Sequence, residues 1–562
     1  MKKVQGHPFP LGVTVEEDRV NFSVSVPAGK ECILSVYKAG EEDPAYTFDM
    51  KQKEGMGEIR FLALESVFPG EYEYAYRTGE KIWVDPFAKE LTYTEDAKEK
   101  KKPLRRGRLV NRQYDWEGDR RLYLPYHEVI AYSLHIKGFT KHRSSGVKHK
   151  GTFRGVIEKI PYLKELGINQ IQCMPVYEFA ESAKGYTNYW GYGPGYFFAP
   201  KASYAAGNDA VAELKDMVKE CHRAGIEVIL EMPFDSEILP QTALECLRYY
   251  MLEYHVDGFL VNPYHVPWEM LQKDPLLKDG KILCKDDGFQ NVMRRFLKGD
   301  EGMIDAVIWA LRHCSREDGK CNYITSHNGF TLWDLVSYDG KHNEANGEKN
   351  QDGPDYNYSW NCGAEGPSRK KSVIQLRKNQ VRNAFYLLLT AQGTPCLLSG
   401  DEFYNSQKGN NNVYCQDNEL AWLNWGQLKT DASLFRYVKE LIALRKAHSS
   451  IHREEAVRGI DRTACGIPDV SYHGENAWQV QNQVSSRQLG VLYCDEKEED
   501  ICFAAYNMHW LKHTFALPAL TGGRKWYRVF YTCRKEQEEE KLLEDQRTIE
   551  LEERTVVFLV GK

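Results

Sequence analysis

Hydrophobic and polar residues alternate in short runs over the first part of the chain, with turn residues between the runs. The segment Val20–Val26 carries apolar side chains at every second position. This period of two is typical of a strand that buries one face and exposes the other. The pattern predicts a small β-sandwich over residues 1–105. A basic stretch, Lys98–Arg108, then indicates a linker, which we place at residues 106–124.

From about residue 125 the pattern changes to apolar strands that are followed by amphipathic helices, which predicts parallel strands. The predicted strands are Val129–Ile136, Ile168–Val176, Ile226–Phe234, Val256–Val261, Ile282–Cys284, Tyr323–Ser326 and Pro395–Leu398. The predicted helices are Gly155–Leu166, Ala210–Ala224, Gln241–His255 and Ser372–Leu389.

These elements predict a TIM (β/α)8-type barrel over residues 125–448. The count falls short of eight, because the stretch between Cys284 and Cys321 shows no strand pattern. A doubly wound sheet is the less fitting alternative, because it would usually carry a glycine-rich nucleotide loop after its first strand. Short β-like runs return after His448, among them Asp500–Ala505, and predict a C-terminal β-sandwich over residues 449–562.

Charge, apolar runs and cysteine spacing indicate which kinds of partner the protein does not bind. The 562 residues carry 74 basic and 80 acidic side chains, a net charge of −6, with no long basic run, so we expect no nucleic-acid partner. No uninterrupted apolar run is long enough to cross a bilayer, so we expect no membrane partner either. The 14 cysteines form no Cys-x-x-Cys pair, which favours reduced thiols in a cytoplasmic protein without a cofactor. No carboxylate spacing predicts a metal site, although calcium stays open.

Several phrases along the barrel resemble bacterial glycogen-debranching enzymes and isoamylases of the α-amylase family. They are His135–Thr140, Asn188–Tyr192 with Phe197–Pro200, Lys341–Gly347, Ser359–Gly363 and Gly409–Asn418. The resemblance covers nearly the whole chain in order. It implies an N-terminal domain like a carbohydrate-binding module, a catalytic-type barrel, and an α-glucan such as glycogen, starch or a malto-oligosaccharide as the ligand.

The resemblance also implies where the catalytic groups belong. Retaining glycosidases use a carboxylate nucleophile and a carboxylic acid about 5–5.5 Å apart. In this family the nucleophile ends a Gly-Phe-Arg-Phe-Asp phrase, and the corresponding text is Gly258–Asn262. The nucleophile position therefore holds Asn262, and the orienting arginine has become Leu260. A neutral carboxamide is a poor nucleophile.

Two further carboxylates are replaced at the positions that the resemblance aligns. Lys285 stands at the position of the general acid, and Asn328 stands at that of the aspartate that grips the sugar. The histidine of strand three has become Ser236, and the loops after strands three and five are short. Losing these charges weakens stabilisation of a cationic transition state. No intact catalytic set is predicted, unless Asp286 or Asp287 acts as a relocated acid.

Three residues that match the family's sugar-contacting motifs survive: Tyr189, Tyr192 and His327. We predict them as substrate-binding residues, because an aromatic ring face suits the apolar face of a pyranose. The leading hypothesis is a catalytically inactive debranching-enzyme homologue that binds α-glucan, partners an active glucan enzyme, or does both. An active α-1,6-glucosidase with relocated acids, and a structural or regulatory protein without sugar binding, are the alternatives.

Overall fold

The computed structural model describes residues 1–92, 105–110, 113–183, 185–462, 464, 466–495 and 499–562. The mixed α/β class is confirmed: a TIM-type barrel is flanked by β-rich N-terminal and C-terminal domains. Residues 93–104 of the predicted N-terminal domain, which include part of the basic stretch, and residues 111–112 of the predicted linker lie outside the described residues.

The N-terminal domain consists of two antiparallel sheets of four and five strands. Alternate side chains of both sheets meet in one core, which includes Phe22, Leu34 and Tyr74. Its strands are Lys2–Val4, Gly12–Val15, Arg19–Ser25, Ile33–Lys38, Tyr46–Asp49, Ile59–Glu65, Tyr72–Thr78, Lys81–Trp83 and Gly107–Arg108. The last strand lies inside the predicted linker, because Gly107 pairs with Tyr74 and extends this domain past residue 105.

Six parallel strands form the ladder of the barrel, in the order of their residues around it. They are Ala131–Leu134, Gln170–Cys173, Glu227–Met232, Gly258–Val261, Lys281–Leu283 and Cys396–Leu398. Each falls within, or within one residue of, a strand predicted from the apolar runs. Ladder pairing joins the first strand to the last, as in Ala131 opposite Cys396.

The barrel closes through a segment that is paired only by single bridges. Cys284 bridges Lys320 and Asn322 bridges Pro395, both in parallel. The predicted strand Tyr323–Ser326 is therefore not a ladder strand: this part of the wall pairs only through the single bridges at Lys320 and Asn322. Residues 285–319 contain helices and no strand, so seven positions complete the wall of the barrel.

Helices surround the strands on the outside. They are Ile136–Lys141, Phe153–Ile157, Ile160–Leu166, Ala210–Arg223, Pro240–Glu253, Trp268–Lys273, Gly288–Lys298, Ile304–Leu311, Ser315–Asp318, Leu332–Leu335, Lys371–Leu389, Gly426–Thr430 and Ser433–Ala447. The predicted helix Gly155–Leu166 is split in two, because Pro161 lacks the N–H that would bond to the carbonyl of Ile157. No helix among the described residues is long and apolar enough to cross a membrane.

Four short strands, Tyr177–Phe179, Ser182–Ala183, Tyr186–Thr187 and Gly195–Pro200, form an excursion after the second barrel strand. The C-terminal domain has a six-stranded and a two-stranded antiparallel sheet. Its strands are Val470–His473, Gln488–Cys494, Ile501–Asn507, His513–Ala516, Trp526–Tyr531, Lys541–Leu542, Thr548–Leu551 and Thr555–Gly561. Tyr386 of a barrel helix donates a hydrogen bond to the carbonyl of Val557, which ties this domain to the barrel.

Candidate functional site at the barrel mouth

The inward-facing side of each barrel strand follows from the alternation of side chains. Ile229, Leu260 and Leu283 lie together in the apolar interior of the barrel. Side chains two residues further along a strand point to the same side, and the carboxyl ends of parallel strands carry the active sites of such barrels. Glu231 and Lys285 therefore face the mouth of the barrel from the two strands that flank Gly258–Val261.

Glu231 and Lys285 form an ion pair at this mouth. The Lys285 ammonium donates to Glu231 Oε1 at 2.5 Å. Burial raises the pKa of the Glu231 carboxyl, but the charge and hydrogen bond of Lys285, with the hydrogen bond from Tyr192, act against burial, and the net pKa lies below its ordinary value. The carboxylate at the mouth is thus ionised, and its Oε1 atom accepts from both Lys285 and Tyr192.

Tyr192 and His327 complete a four-membered network around this ion pair. The Tyr192 hydroxyl lies 2.5 Å from Glu231 Oε1 and 2.6 Å from His327 Nε2. The carboxylate is the stronger acceptor, so we assign the Tyr192 proton to Glu231 and the His327 proton to Nε2. Burial and the nearby Lys285 lower the pKa of His327 to about 3, so the imidazole is neutral at pH 7.

Removing the Tyr192 hydroxyl tests how much this network stabilises the fold. We expect Tyr192→Phe to lower the free energy of unfolding by about 1–2 kcal/mol, because Glu231 and His327 each lose a buried partner. Chemical denaturation of both proteins gives the difference. Tyr250→Phe is the matched control: the Tyr250 hydroxyl is buried without a partner, so its loss should change stability by less than about 0.5 kcal/mol. Equal effects of the two substitutions would contradict the network.

The two amides that the resemblance aligns with aspartates, Asn262 and Asn328, lie at the rim and are exposed to solvent. The Asn262 carbonyl oxygen accepts from the backbone N–H of Tyr264 at 3.1 Å, and its amide nitrogen lies 3.4 Å from His265 Nδ1. The backbone carbonyl of Asn328 accepts from Ser326 Oγ at 3.3 Å. Both amides are neutral hydrogen-bonding groups, which can contact hydroxyls but cannot supply a negative charge.

Tyr189 lies deeper than the other predicted sugar contacts. Its side chain is buried and its ring stacks on His135 with centroids 4.1 Å apart. The cavity that Tyr189, Trp190 and His327 line measures about 40 Å³. Small-molecule pockets span about 300–1,000 Å³, so this space admits water but not a pyranose ring. The structure brings Tyr192 and His327 together and places Tyr189 beneath them.

The two aspartates that could serve as relocated acids are both engaged elsewhere. Asp286 pairs with Lys320 at 2.9 Å, and Asp287 accepts from the hydroxyl of Tyr323 at 2.8 Å. Lys320 lies at the start of the bridge-paired segment rather than at its carboxyl end. These contacts give both carboxylates structural roles near the closure of the barrel wall.

Two of the loops that follow barrel strands at the mouth are short. The helix Pro240–Glu253 begins directly after residues 233–239, and the helix Gly288–Lys298 begins directly after residues 284–287. Ser236, at the position of the family's histidine, is exposed. Leu260, at the position of the orienting arginine, is buried in the barrel interior and offers no cation to this site.

Sequence reasoning found the replacements but missed the partner of Lys285. No role was predicted for Glu231, and its ion pair with Lys285 was not predicted. The signal was available, because Glu231 and Lys285 each stand two residues beyond an inward-facing aliphatic residue of a barrel strand. Opposite charges at such positions can meet across the end of the intervening strand Gly258–Val261.

One group of potential metal ligands exists among the described residues, away from the barrel mouth. His448 Nδ1 lies 2.7 Å from Asp500 Oδ1, and the thiol of Cys502 lies 3.2 Å from the same oxygen. A carboxylate oxygen can accept both hydrogen bonds, so these contacts need no ion. The group links the end of the helix Ser433–Ala447 to a C-terminal strand.

Comparisons with known proteins agree with the motifs along the barrel. Residues 133–235 match the family described as "Alpha amylase, catalytic domain". The chain is similar to "Isoamylase 1, chloroplastic" of Arabidopsis thaliana, with 31% identity over 597 residues, 79% of this chain and 76% of that protein. It is similar to the "Glycogen operon protein GlgX homolog" of Haemophilus influenzae, with 30% identity over 575 residues, 80% of this chain and 86% of that protein.

Solved structures share the fold at lower identity. A pullulanase from Paenibacillus barengoltzii in complex with maltohexaose and α-cyclodextrin superposes with a TM-score of 0.75 and 19% identity, covering 99% of this chain and 96% of that chain. A pullulanase from Anoxybacillus sp. complexed with maltotetraose gives a TM-score of 0.72 and 20% identity, covering 98% of this chain and 87% of that chain.

Proposed function

This chain belongs to the α-amylase family, with the isoamylases and glycogen-debranching proteins, and from that premise we propose that it binds α-glucan without hydrolysing it. Its homology supports a glucan-related function. The absence of hydrolysis and the direct binding of glucan are the parts that we propose.

The ion pair between Lys285 and Glu231 is the observation that carries the proposal. A retaining glycosidase needs one carboxyl that is protonated and a second that is free to attack the anomeric carbon. Here the position aligned with the acid holds an ammonium, which donates to Glu231 at 2.5 Å. Neither group supplies the missing acid, because Lys285 donates to Glu231 as a cation and the Glu231 carboxylate is ionised between Lys285 and Tyr192.

The position aligned with the nucleophile gives independent support. The carbonyl oxygen of Asn262 accepts from the backbone N–H of Tyr264, and a carboxamide forms no stable glycosyl ester. Relocation of the acid to Asp286 or Asp287 is disfavoured by the bonds of these residues to Lys320 and Tyr323. The altered groups act as one catalytic unit, so their losses cannot be repaired one at a time.

Glucan binding is supported by the relatives and by the chemistry of the rim. The isoamylase relative and the pullulanases solved with malto-oligosaccharides suggest an α-glucan as ligand for this chain also. Amide and phenol groups around the mouth can hydrogen-bond sugar hydroxyls. We include a cytoplasmic setting in the proposal, because the described cysteines are free thiols. An active glucan enzyme is the protein partner to be sought by co-purification.

Two measurements on the purified protein test this function together. Native electrophoresis in gels that contain glycogen should retard the protein relative to a gel without polysaccharide. Reducing-end release from glycogen, amylopectin and pullulan should be at least about 10⁴-fold slower than that of an active isoamylase. Clear turnover would reject the non-hydrolytic part, and unchanged mobility would reject the glucan-binding part.

A further inference from the structure

The two most exposed large hydrophobic side chains among the described residues both lie on the face of the barrel that carries the mouth. Tyr264 is 92% exposed and Tyr356 is 84% exposed. Each lies in a loop on the carboxyl-terminal side of the barrel, the side on which such barrels bind ligands. Single exposed apolar residues are common, but two extreme cases on the same functional face call for a ligand.

Tyr264 is held at the rim by the residue that replaces the nucleophile. It follows the strand Gly258–Val261 by three residues, and its backbone N–H donates to the side-chain oxygen Oδ1 of Asn262. This bond closes a turn that fixes the backbone while the ring projects into solvent. The ring is therefore presented by an ordered loop rather than by a free end.

Tyr356 is anchored next to the other replaced carboxylate. Buried Arg294 donates to the backbone carbonyl of Ile324 at 2.7 Å and to that of Asn357, the next residue after Tyr356, at 3.3 Å. Ile324 lies four residues before Asn328 in the segment that ends at the mouth. The same guanidinium thus positions the loop of Tyr356 beside the rim at Asn328.

We propose that Tyr264 and Tyr356, with the exposed amides of Asn262 and Asn328, form a shallow platform that binds α-glucan across the barrel mouth. This inference rests on the proposed glucan binding and assigns its location. The cavity that Tyr189, Trp190 and His327 line measures only about 40 Å³, which is too small for a pyranose ring. A chain of glucose units lying flat on the rim needs no deep pocket, since aromatic rings stack on the pyranose faces and amides contact the hydroxyls.

The alternative location in this structure is the groove between the barrel and the C-terminal domain. It measures about 610 Å³ and is lined by Gln375, Asn379 and Arg528 among others. Its size falls within the range of small-molecule pockets. The Arg528 guanidinium, however, lies over the ring of Tyr531, the aromatic residue that lines this groove, and so covers one face of that ring. The groove gives the test a competing site to exclude.

Substitutions at the two sites locate the glucan. Retardation in glycogen gels and titration with maltoheptaose are measured for the full chain, for Tyr264→Ala, for Tyr356→Ala and for the double variant. We expect the dissociation constant to rise about fivefold for each single variant and about 20-fold or more for the pair. Trp309→Ala is the matched control, because Trp309 is 72% exposed on the helix Ile304–Leu311, outside the proposed platform.

The outcomes separate this inference from the function on which it rests. If the unmodified protein binds glycogen and the double tyrosine variant binds equally well, the platform is wrong while glucan binding stands. A loss of binding in Asn379→Ala/Arg528→Ala, with both tyrosine variants unaffected, moves the site to the groove and also overturns the platform. If the unmodified protein binds neither glycogen nor maltoheptaose, the proposed function and the platform fail together.

Discussion

The triple variant Asn262→Asp, Lys285→Glu and Asn328→Asp is expected to gain less than about tenfold in hydrolysis and to lose about 2–4 kcal/mol of stability at pH 8. The activity stays low because Leu260 and Ser236 remain where the family's arginine and histidine belong. The stability falls because a glutamate at position 285 removes the cation from Glu231 and places a second carboxylate against it.

The single change Lys285→Glu should account for most of this loss and should depend on pH. Two facing carboxyls have raised pKa values, so the destabilisation is expected at high pH and should fade as pH drops below about 5, where the carboxyls are protonated. Adding Glu231→Gln should rescue most of the stability at pH 8. Denaturation midpoints between pH 4.5 and 8 measure both effects.

The control for charge reversal is Lys320→Glu. Lys320 pairs with Asp286 at 2.9 Å, and about a third or more of each side chain is exposed, so water screens the change and the cost should stay below about 1 kcal/mol. Activity restored to within tenfold of an active isoamylase would show that Leu260 and Ser236 limit hydrolysis less than expected. If the Lys285→Glu protein is as stable as the parent, the ion pair between Lys285 and Glu231 does not stabilise the site.

Asp401→Asn is expected to abolish a large pH dependence of stability. Burial raises the pKa of the Asp401 carboxyl to about 7, although Thr325 and the backbone N–H of Leu332 donate to it. Each unit by which folding raises a carboxyl pKa costs about 1.4 kcal/mol once the group is ionised. This carboxyl therefore destabilises the fold by up to about 4 kcal/mol above pH 7.

The sign follows from proton binding. Between pH 4 and pH 7 the folded state holds a proton on Asp401 that the unfolded state has released, so stability falls as pH rises through this range. The stability of Asp401→Asn relative to the parent should therefore increase by about 3–4 kcal/mol from pH 4.5 to pH 8. Asp431→Asn is the control: Lys378 and Ser433 outweigh burial and lower the pKa of Asp431 to about 2, so its difference from the parent should be flat between pH 5 and 8. A flat difference for Asp401→Asn would refute the assignment.

The sequence was sufficient for much of the fold because strand and helix periods are local properties. All four early barrel strands and the long helix Lys371–Leu389 lie close to their predicted bounds. The pairing of Gly107 with Tyr74 could not be anticipated, because residues 33 positions apart in the chain form that bridge. The helix break at Pro161 could have been predicted from the sequence, since the missing N–H is a property of that residue alone.

The sequence allowed us to predict which residues occupy the candidate site, but not how their side chains contact one another. The replacements at Asn262, Lys285 and Asn328 follow from the text of the motifs, and their role in function stays a prediction. The burial of Tyr189 against His135 depends on how the excursion after the second strand folds back, which no local pattern encodes. The same holds for the bond between Tyr192 and His327, which joins residues from distant segments.

The direct bridge between Cys284 and Lys320 bears on how the protein could change over time. Point mutations can exchange an amide for an acid in a single step, but they cannot insert a missing piece of barrel wall. Strand number sets the width of a barrel, so a narrower ring holds its rim residues at different separations. Under the proposed function, an acid placed at Asn262 or Asn328 by point mutation would therefore still stand at a separation that the seven-position wall sets.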